Sequence, residues 1–314
     1  MNKKLLLVIT VAIIIGLGWY LWRVGGKFQG IASGVNPSPS SSKIHVVTSF
    51  YPLYFFAQAI GGDRADVVNI TPAGAEPHDY EPSAQDAALM ENSRLLILNG
   101  GGLEPWGDDI KQNLDSERTL IITAGEGLAT QKLVEEGQEI IDPHVWLSPP
   151  LAAQMVDKIT AGFIKIDPAS GAYYQAQADT LKTRLSDLDN EYRRGLSNCA
   201  NHDIITSHAA FGYLAAAYGL NQVPLAGLSP DIEPSSQQLA AIADWAKKNN
   251  IKYIFFESLA SPKLAETLAT EVGAKTLVLN PLEGLSADEL AAGQNYFSVM
   301  ENNLANLKIA LVCP

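Results

Sequence analysis

Positive charge, cysteine and histidine are all scarce in this 314-residue sequence, and each scarcity removes a class of function. Lys and Arg number 22 against 34 Asp and Glu, and five of the 22 (Lys3, Lys4, Arg23, Lys27, Lys43) sit in the first 43 residues, where there is no acid. The remainder holds 17 basic side chains against all 34 acidic ones, about −17 with histidines neutral. Such a surface is unsuited to nucleic acid or anionic lipid and mildly favours cations. HExxH, GxSxG and a phosphate-cradling glycine loop are absent, which removes the commonest catalytic constellations. No cysteine follows the N-terminal apolar stretch, so lipid attachment there is excluded. The only cysteines, Cys199 and Cys313, suggest one disulfide if the chain is exported, the alternative being two buried thiols. No short internal repeat occurs.

Against these absences stands an uncharged apolar run over residues 5–22, ending in Trp19, Tyr20 and Trp22. Eighteen helical residues span about 27 Å, close to the hydrocarbon thickness of a bilayer. Residues 1–28 therefore read as a membrane anchor or a signal segment; the run's length, its aromatic end and the lack of a sharp small-residue cleavage site favour the anchor. Either reading places the rest outside the cytoplasm, at the cell surface or in a periplasm, tethered or released after cleavage. Residues 29–43 thin to Gly, Ser, Pro and Asn, which cannot build a core and form a linker.

From residue 44 onward short apolar runs alternate with helical patterns. Buried strands are expected over 44–49, 67–71, 95–99 and 120–123, with a helix over 83–92 among the segments between them. The alternation stops at Asp167-Pro168. Residues 172–194 contain neither glycine nor proline and carry Tyr173, Leu181, Leu185, Leu188 and Tyr192 at helical spacings, predicting one long helix over 169–197. Strands resume over 203–206, 222–226, 253–257 and 276–280. The expected fold is α/β: two lobes, each a mostly parallel four-stranded sheet flanked by helices, joined by one long rigid helix. The corresponding divisions are an N-terminal lobe at 44–167, a linking helix at 168–197 and a C-terminal lobe at 198–314.

Ligands of open α/β sheets sit beyond the carboxyl ends of the strands and in clefts between lobes. Three of the five histidines fall there: His78 in the loop after the second strand, His144 in Asp142-Pro143-His144-Val145-Trp146, and His208 after the strand ending at Thr206. One loop histidine is seldom a ligand. Three at strand ends, with acidic neighbours, point to a metal, since neutral imidazole is the commonest zinc ligand. Their wide separation fits neither a zinc finger nor a metalloprotease helix, only a site assembled between lobes. His45 and His202 flank strands and read as surface residues. Asp142 and Asp79 are candidates to orient imidazoles, Glu76 reads as a loop carboxylate, and Trp106, Tyr80 and Phe211 read as packing residues.

The segments EPHDYEPS, DPHVWLSP, SHAAFGYLAAAYGL, PLAGLSPDIEPS and LNPLEGL, in this order from about residue 44 to the end, resemble the metal-binding cluster of ABC-transporter solute-binding proteins, particularly its zinc-uptake branch. The resemblance implies two lobes bridged by a rigid helix. It implies His78, His144 and His208 as metal ligands, with Glu283 as the fourth, and it implies partnership with a permease and its ATPase, by a monomer that is not an enzyme. Manganese-binding relatives typically have a carboxylate at the third position, where this chain has His208. Three imidazoles and one carboxylate favour Zn(II) over Mn(II), which prefers more oxygen donors. The sequence departs from the zinc branch where many members carry a His-rich loop: the stretch 126–141 has Glu135, Glu136 and Glu139 but no histidine. Two rivals stay open at this point, a zinc hydrolase with Glu283 as general base and a metal-dependent surface adhesin.

Overall fold

The computed structural model describes residues 43–135, 137–230 and 234–314. The anchor and all but the last residue of the linker lie outside the described residues. No described helix is long and apolar enough to cross a membrane.

Among the described residues the first lobe opens with β1 (Ile44–Thr48), α1 (Tyr51–Gly61), β2 (Ala65–Asn69), α2 (Ala84–Asn92), β3 (Leu95–Leu98), α3 (Gly107–Asn113) and β4 (Leu120–Thr123). The strands are parallel in the order β2-β1-β3-β4, with Val46 opposite Val67 and Leu95 opposite Leu120. Parallel neighbours need crossover connections, and helices on both faces leave a central strand no wet side. Hence β3 is Leu-Leu-Ile-Leu, with all four side chains buried.

The second sheet repeats the plan. It is built from β7 (Asp203–Thr206), β8 (Asn221–Pro224), β9 (Tyr253–Phe256) and β10 (Lys275–Val278), all parallel in the order β10-β9-β7-β8. Its helices are α6 (Gly212–Tyr218), α7 (Ser236–Lys248), α8 (Lys263–Val272), α9 (Ala287–Ala291) and α10 (Tyr296–Ala310). Between β4 and helix α4 (Pro149–Ile166) stands an antiparallel hairpin, β5 (Lys132–Glu135) and β6 (Gln138–Ile141), turned at Gly137 with φ +81°. Val134 and Ile141 on it are exposed.

Helix α5 (Gly171–Leu196) runs about 39 Å at 1.5 Å per residue and packs against α1 and α4 at one end and α6 and α10 at the other. Its buried stripe, Tyr174, Ala178, Leu181, Leu185, Leu188, Tyr192 and Leu196, steps by threes and fours along one face. The Tyr192 hydroxyl donates to the Met300 carbonyl oxygen at 2.7 Å. Just past α5, Cys199 is joined to Cys313 in a disulfide, and the tail adds backbone bonds from Ala200 and Asn201 to Val312 and Leu311.

The lobes meet through a dry core. Phe56 of the first lobe meets Tyr296 of the second edge-on at 5.0 Å, and Phe55 stacks on the same ring at 5.8 Å. The Trp146 indole N–H donates to the Pro281 carbonyl at 2.8 Å, and the Tyr296 hydroxyl donates to the Trp146 carbonyl at 2.6 Å. Lobes move freely when their interface is small and polar; this one is apolar, buried and hydrogen-bonded, so it holds them together.

Candidate metal centre

Each of the four expected residues is carried on a loop beyond a sheet's carboxyl edge. His78 lies between β2 and α2. Its loop is tied across the lobes by the Gly74 N–H, which donates to the Leu285 carbonyl at 3.0 Å. The loop's far end is fixed by a capping box, in which Ser83 and Asp86 satisfy the first turn of α2 and the Tyr80 hydroxyl also donates to Asp86. His144 follows the hairpin and precedes the buried Val145-Trp146-Leu147 turn. His208 lies two residues past β7, and its carbonyl accepts from Thr206 Oγ1 at 2.8 Å and Gln222 Nε2 at 2.9 Å.

Glu283 follows a buried leucine held in the left-handed region, Leu282 at φ +58°. That conformation costs a leucine about 1–2 kcal/mol. It is held by Asn280, whose side-chain oxygen accepts from the Leu282 N–H at 2.7 Å, and Asn280 is itself gripped through its backbone by Asn303.

The four side chains converge on one point. One donor atom from each of His78, His144, His208 and Glu283 lies within 4.8 Å of every other. From His144 Nε2 the distances are 3.2 Å to His78 Nε2, 3.4 Å to His208 Nε2 and 3.0 Å to Glu283 Oε1. Glu283 Oε1 is 3.0 Å from His208 Nε2 and 3.5 Å from His78 Nε2. Four ligands at the usual zinc distances of about 2.0–2.1 Å span tetrahedral edges of about 3.4 Å. Five of the six edges are thus close to those of a zinc tetrahedron. His144, His208 and Glu283 are buried, and the His78 side chain retains 9% exposure.

The outer nitrogens explain why the inner ones face one another. His144 Nδ1 is 2.8 Å from Asp142 Oδ1, which also accepts the His144 backbone N–H at 2.9 Å. His208 Nδ1 is 2.7 Å from Glu257 Oε1. A carboxylate at Nδ1 holds the proton there in the neutral ring and turns the Nε2 lone pair inward. Lone pairs of buried nitrogens and an oxygen cannot crowd together unless positive charge lies among them.

The titration behaviour says the same. Burial disfavours charge on His208, but the Glu257 and Glu283 carboxylates outweigh it and hold the imidazole well above 6.5. His144 is likewise raised, burial being outweighed by hydrogen bonds with Asp142 and Glu283. Burial would raise Glu283, but the charge of His208 and hydrogen bonds from His144, His208 and His78 hold it well below the usual carboxylate range. For His78 burial wins and the value falls. The site therefore attracts a cation, or takes up protons in its place.

The remaining sequence candidates divide cleanly. Asp142 orients His144 as anticipated. Glu76 accepts the His78 backbone N–H at 3.3 Å and is pushed up to about 9 by burial and by the Glu283 charge, outside the four-atom cluster. Asp79 is exposed on the loop, His45 lies exposed beside Asp66, and His202 is exposed. Trp106 and Phe211 are core residues. Glu257 was not among the candidates. Strand register makes it visible: β7 and β9 are neighbours with Ile205 opposite Ile254, so positions three residues on, 208 and 257, leave the sheet side by side.

Two α/β lobes joined by one long helix, with a buried His3Glu set between them, define a metal-binding solute-binding protein. The chain belongs to the family described as the periplasmic component A of zinc-uptake complexes, whose model matches residues 46–310. It is similar to the high-affinity zinc uptake system protein ZnuA of Bacillus subtilis, 42% identical over 309 residues covering 93% of this chain and 97% of that protein. It is 37% identical to the zinc-binding protein AdcA of Streptococcus pyogenes over 98% of this chain, but spans only 62% of AdcA. Among solved structures, it resembles the Zn(II)-bound ZnuA-like domain of Streptococcus pneumoniae AdcA at TM-score 0.75 and 41% identity, covering 86% of this chain and 99% of that one.

Proposed function

We propose that this chain captures Zn(II) outside the cytoplasm through His78, His144, His208 and Glu283 and delivers it to the permease of an ABC transporter. The observation that carries this reading is the convergence of three imidazole nitrogens and one carboxylate oxygen at tetrahedral spacing. Zinc has no geometric preference from its d electrons and accepts a borderline-soft N3O tetrahedron; manganese favours more oxygen donors, so Mn(II) is the runner-up. Four protein ligands leave no position for an activated water, which separates this arrangement from three-histidine hydrolytic centres. Family membership and the named relatives support the same conclusion: zinc uptake and binding, not catalysis.

In this reading residues 1–28 tether the protein to the membrane, 29–43 form the spacer, 44–167 and 198–314 are the lobes, and 168–197 link them. The chain works as a monomer against a permease and its ATPase. The dry lobe interface leaves release to local rearrangement of the ligand loops when the protein docks. The test is metal analysis with competitive titration of the full chain beside His208→Ala and Glu283→Ala. One zinc per chain, bound tightly at pH 7.5 and weakened in both variants by more than the about tenfold that losing a supporting partner of a ligand costs, is the expected outcome. Manganese preference, or zinc binding indifferent to both substitutions, refutes the assignment. An adhesin role would appear separately, as matrix binding that depends on metal.

A further inference from the structure

The hairpin β5–β6 leaves the first lobe through a narrow neck, Gln131 on one side and Asp142 on the other. The neck is closed by the Asp142 N–H, which donates to the Gln131 carbonyl at 3.0 Å. Tyr213 of the second lobe caps both sides. Its hydroxyl accepts the Gln131 N–H at 2.9 Å and donates to the Asp142 carbonyl at 3.0 Å. One hydroxyl thus uses its donor and one acceptor on the two strands of the neck. The ring is buried, so packing alone would be served by phenylalanine.

The residue before it completes the contact. A Cβ on Gly212 would lie 2.7 Å from Asp142 Oδ2 and 2.7 Å from Gln131 Oε1, so the start of α6 presses directly on the Asp142 carboxylate. The other oxygen of that carboxylate holds both His144 nitrogens described above. Gly212 and Tyr213 follow His208 by four and five residues through a buried turn, Ala209–Phe211.

We propose that Tyr213 is a positioning residue for zinc: it clamps the hairpin neck so that Asp142 stays on His144, and it ties that first-lobe ligand to the segment carrying His208. This rests on the reading of His144 and His208 as zinc ligands. Removing the hydroxyl takes their partner from the half-buried Gln131 N–H and the buried Asp142 C=O and frees Asp142 to shift, so His144 loses its orientation. The hairpin then acts as a handle, since force on it is felt first at a neck two residues from His144.

The experiment compares the full chain with Tyr213→Phe, Gly212→Ala, Asp142→Asn and the double variant Asp142→Asn/Tyr213→Phe. Tyr192→Phe is the control, because it also removes a buried hydroxyl bond between distant parts of the chain, away from the metal. Competitive zinc titration at pH 7.5 is the readout, with the visible spectrum of the Co(II)-substituted protein reporting ligand geometry. Tyr213→Phe is expected to weaken zinc about tenfold and change the Co(II) spectrum, while Tyr192→Phe stays within about twofold of wild type even where it melts earlier. Gly212→Ala, which keeps the hydroxyl but displaces Asp142, is expected to weaken zinc as well. The double variant should lose less than the product of its two single losses, because both act through Asp142. Wild-type zinc binding with Tyr213→Phe unchanged, or losses that multiply independently, overturns the inference alone. A wild-type chain that binds no zinc overturns the ligand reading and this inference with it.

Discussion

Replacing Glu257 by glutamine tests whether the charge behind His208 matters to zinc or only its shape. Glu257 is buried and its Oε1 lies 2.7 Å from His208 Nδ1; the amide oxygen of glutamine can still accept that proton, so only the negative charge is lost. Partners of this kind are worth about 10–100-fold in metal affinity, or about 1.4–2.7 kcal/mol. The carboxylate has two opposed effects. It strengthens the imidazole as a ligand, and in the metal-free site it helps to hold the His208 proton well above 6.5, where that proton competes with zinc. Glu257→Gln removes both. At pH 8, where competition is weaker, the variant shows the larger loss; at pH 6 the wild type carries a larger proton penalty than the variant, and the gap narrows. Competitive titration of both proteins at the two pH values measures this. A ratio that is constant, or that widens on acidification, refutes the account of how the site is tuned.

Zinc affinity of the wild type should keep rising as pH increases beyond 6.5, because His144 and His208 both titrate above their ordinary value in the metal-free site. Proton release measured calorimetrically in buffers of different ionisation enthalpy would be near zero above 6.5 if that were wrong. For the metal-free protein the signs give a stability window. The raised histidines contribute fully below about 6.5 and lose their contribution as pH climbs through their folded values, whereas the lowered Glu283 contributes above about 4.5 and loses its share as pH falls through its folded value. Melting in chelator should therefore be highest between these limits as far as the site governs it, and saturating zinc should raise the alkaline side most. The Cys199–Cys313 bridge closes a loop across a separation of 114 residues, worth about 5 kcal/mol on the chain-entropy account. The double serine variant should unfold at lower urea while binding zinc as tightly as wild type, since no ligand loop is held by the bridge.

What the sequence revealed and what it hid follow a physical line. The eight strands of the two parallel sheets were legible because each holds a short apolar core between helical patterns, fully buried in β3, and α5 because nothing interrupts residues 172–194. The three histidines were legible because a parallel sheet delivers its functional loops at one edge, and each motif keeps its histidine close to such an exit. Glu283 was reachable only through resemblance to a family, for nothing in a loop carboxylate marks it as a ligand. The hairpin β5–β6 went unread because its alternation is weak and acidic, and Val134 and Ile141 point outward with no core to explain them. Glu257 and Tyr213 were invisible for a different reason. Their partners are set by strand order and by the meeting of two lobes, and neither is a local property of the chain.

That division bears on how a cation can be held so firmly and still be passed on. The donors are presented by four loops, but the atoms that orient them belong to the frame: Asp142 at the hairpin neck, Glu257 at a strand end, and Asn280 and Asn303 behind the strained Leu282. The frame cannot open as a whole without parting Phe55 and Phe56 from Tyr296 and breaking two buried hydrogen bonds between the lobes. Moving a loop is far cheaper, because it disturbs one orienting contact rather than a core. His78 is the ligand with residual exposure, so its loop is the one a docking partner reaches first. On the proposed reading, a partner that shifts one ligand loop would release zinc without parting the core between the lobes.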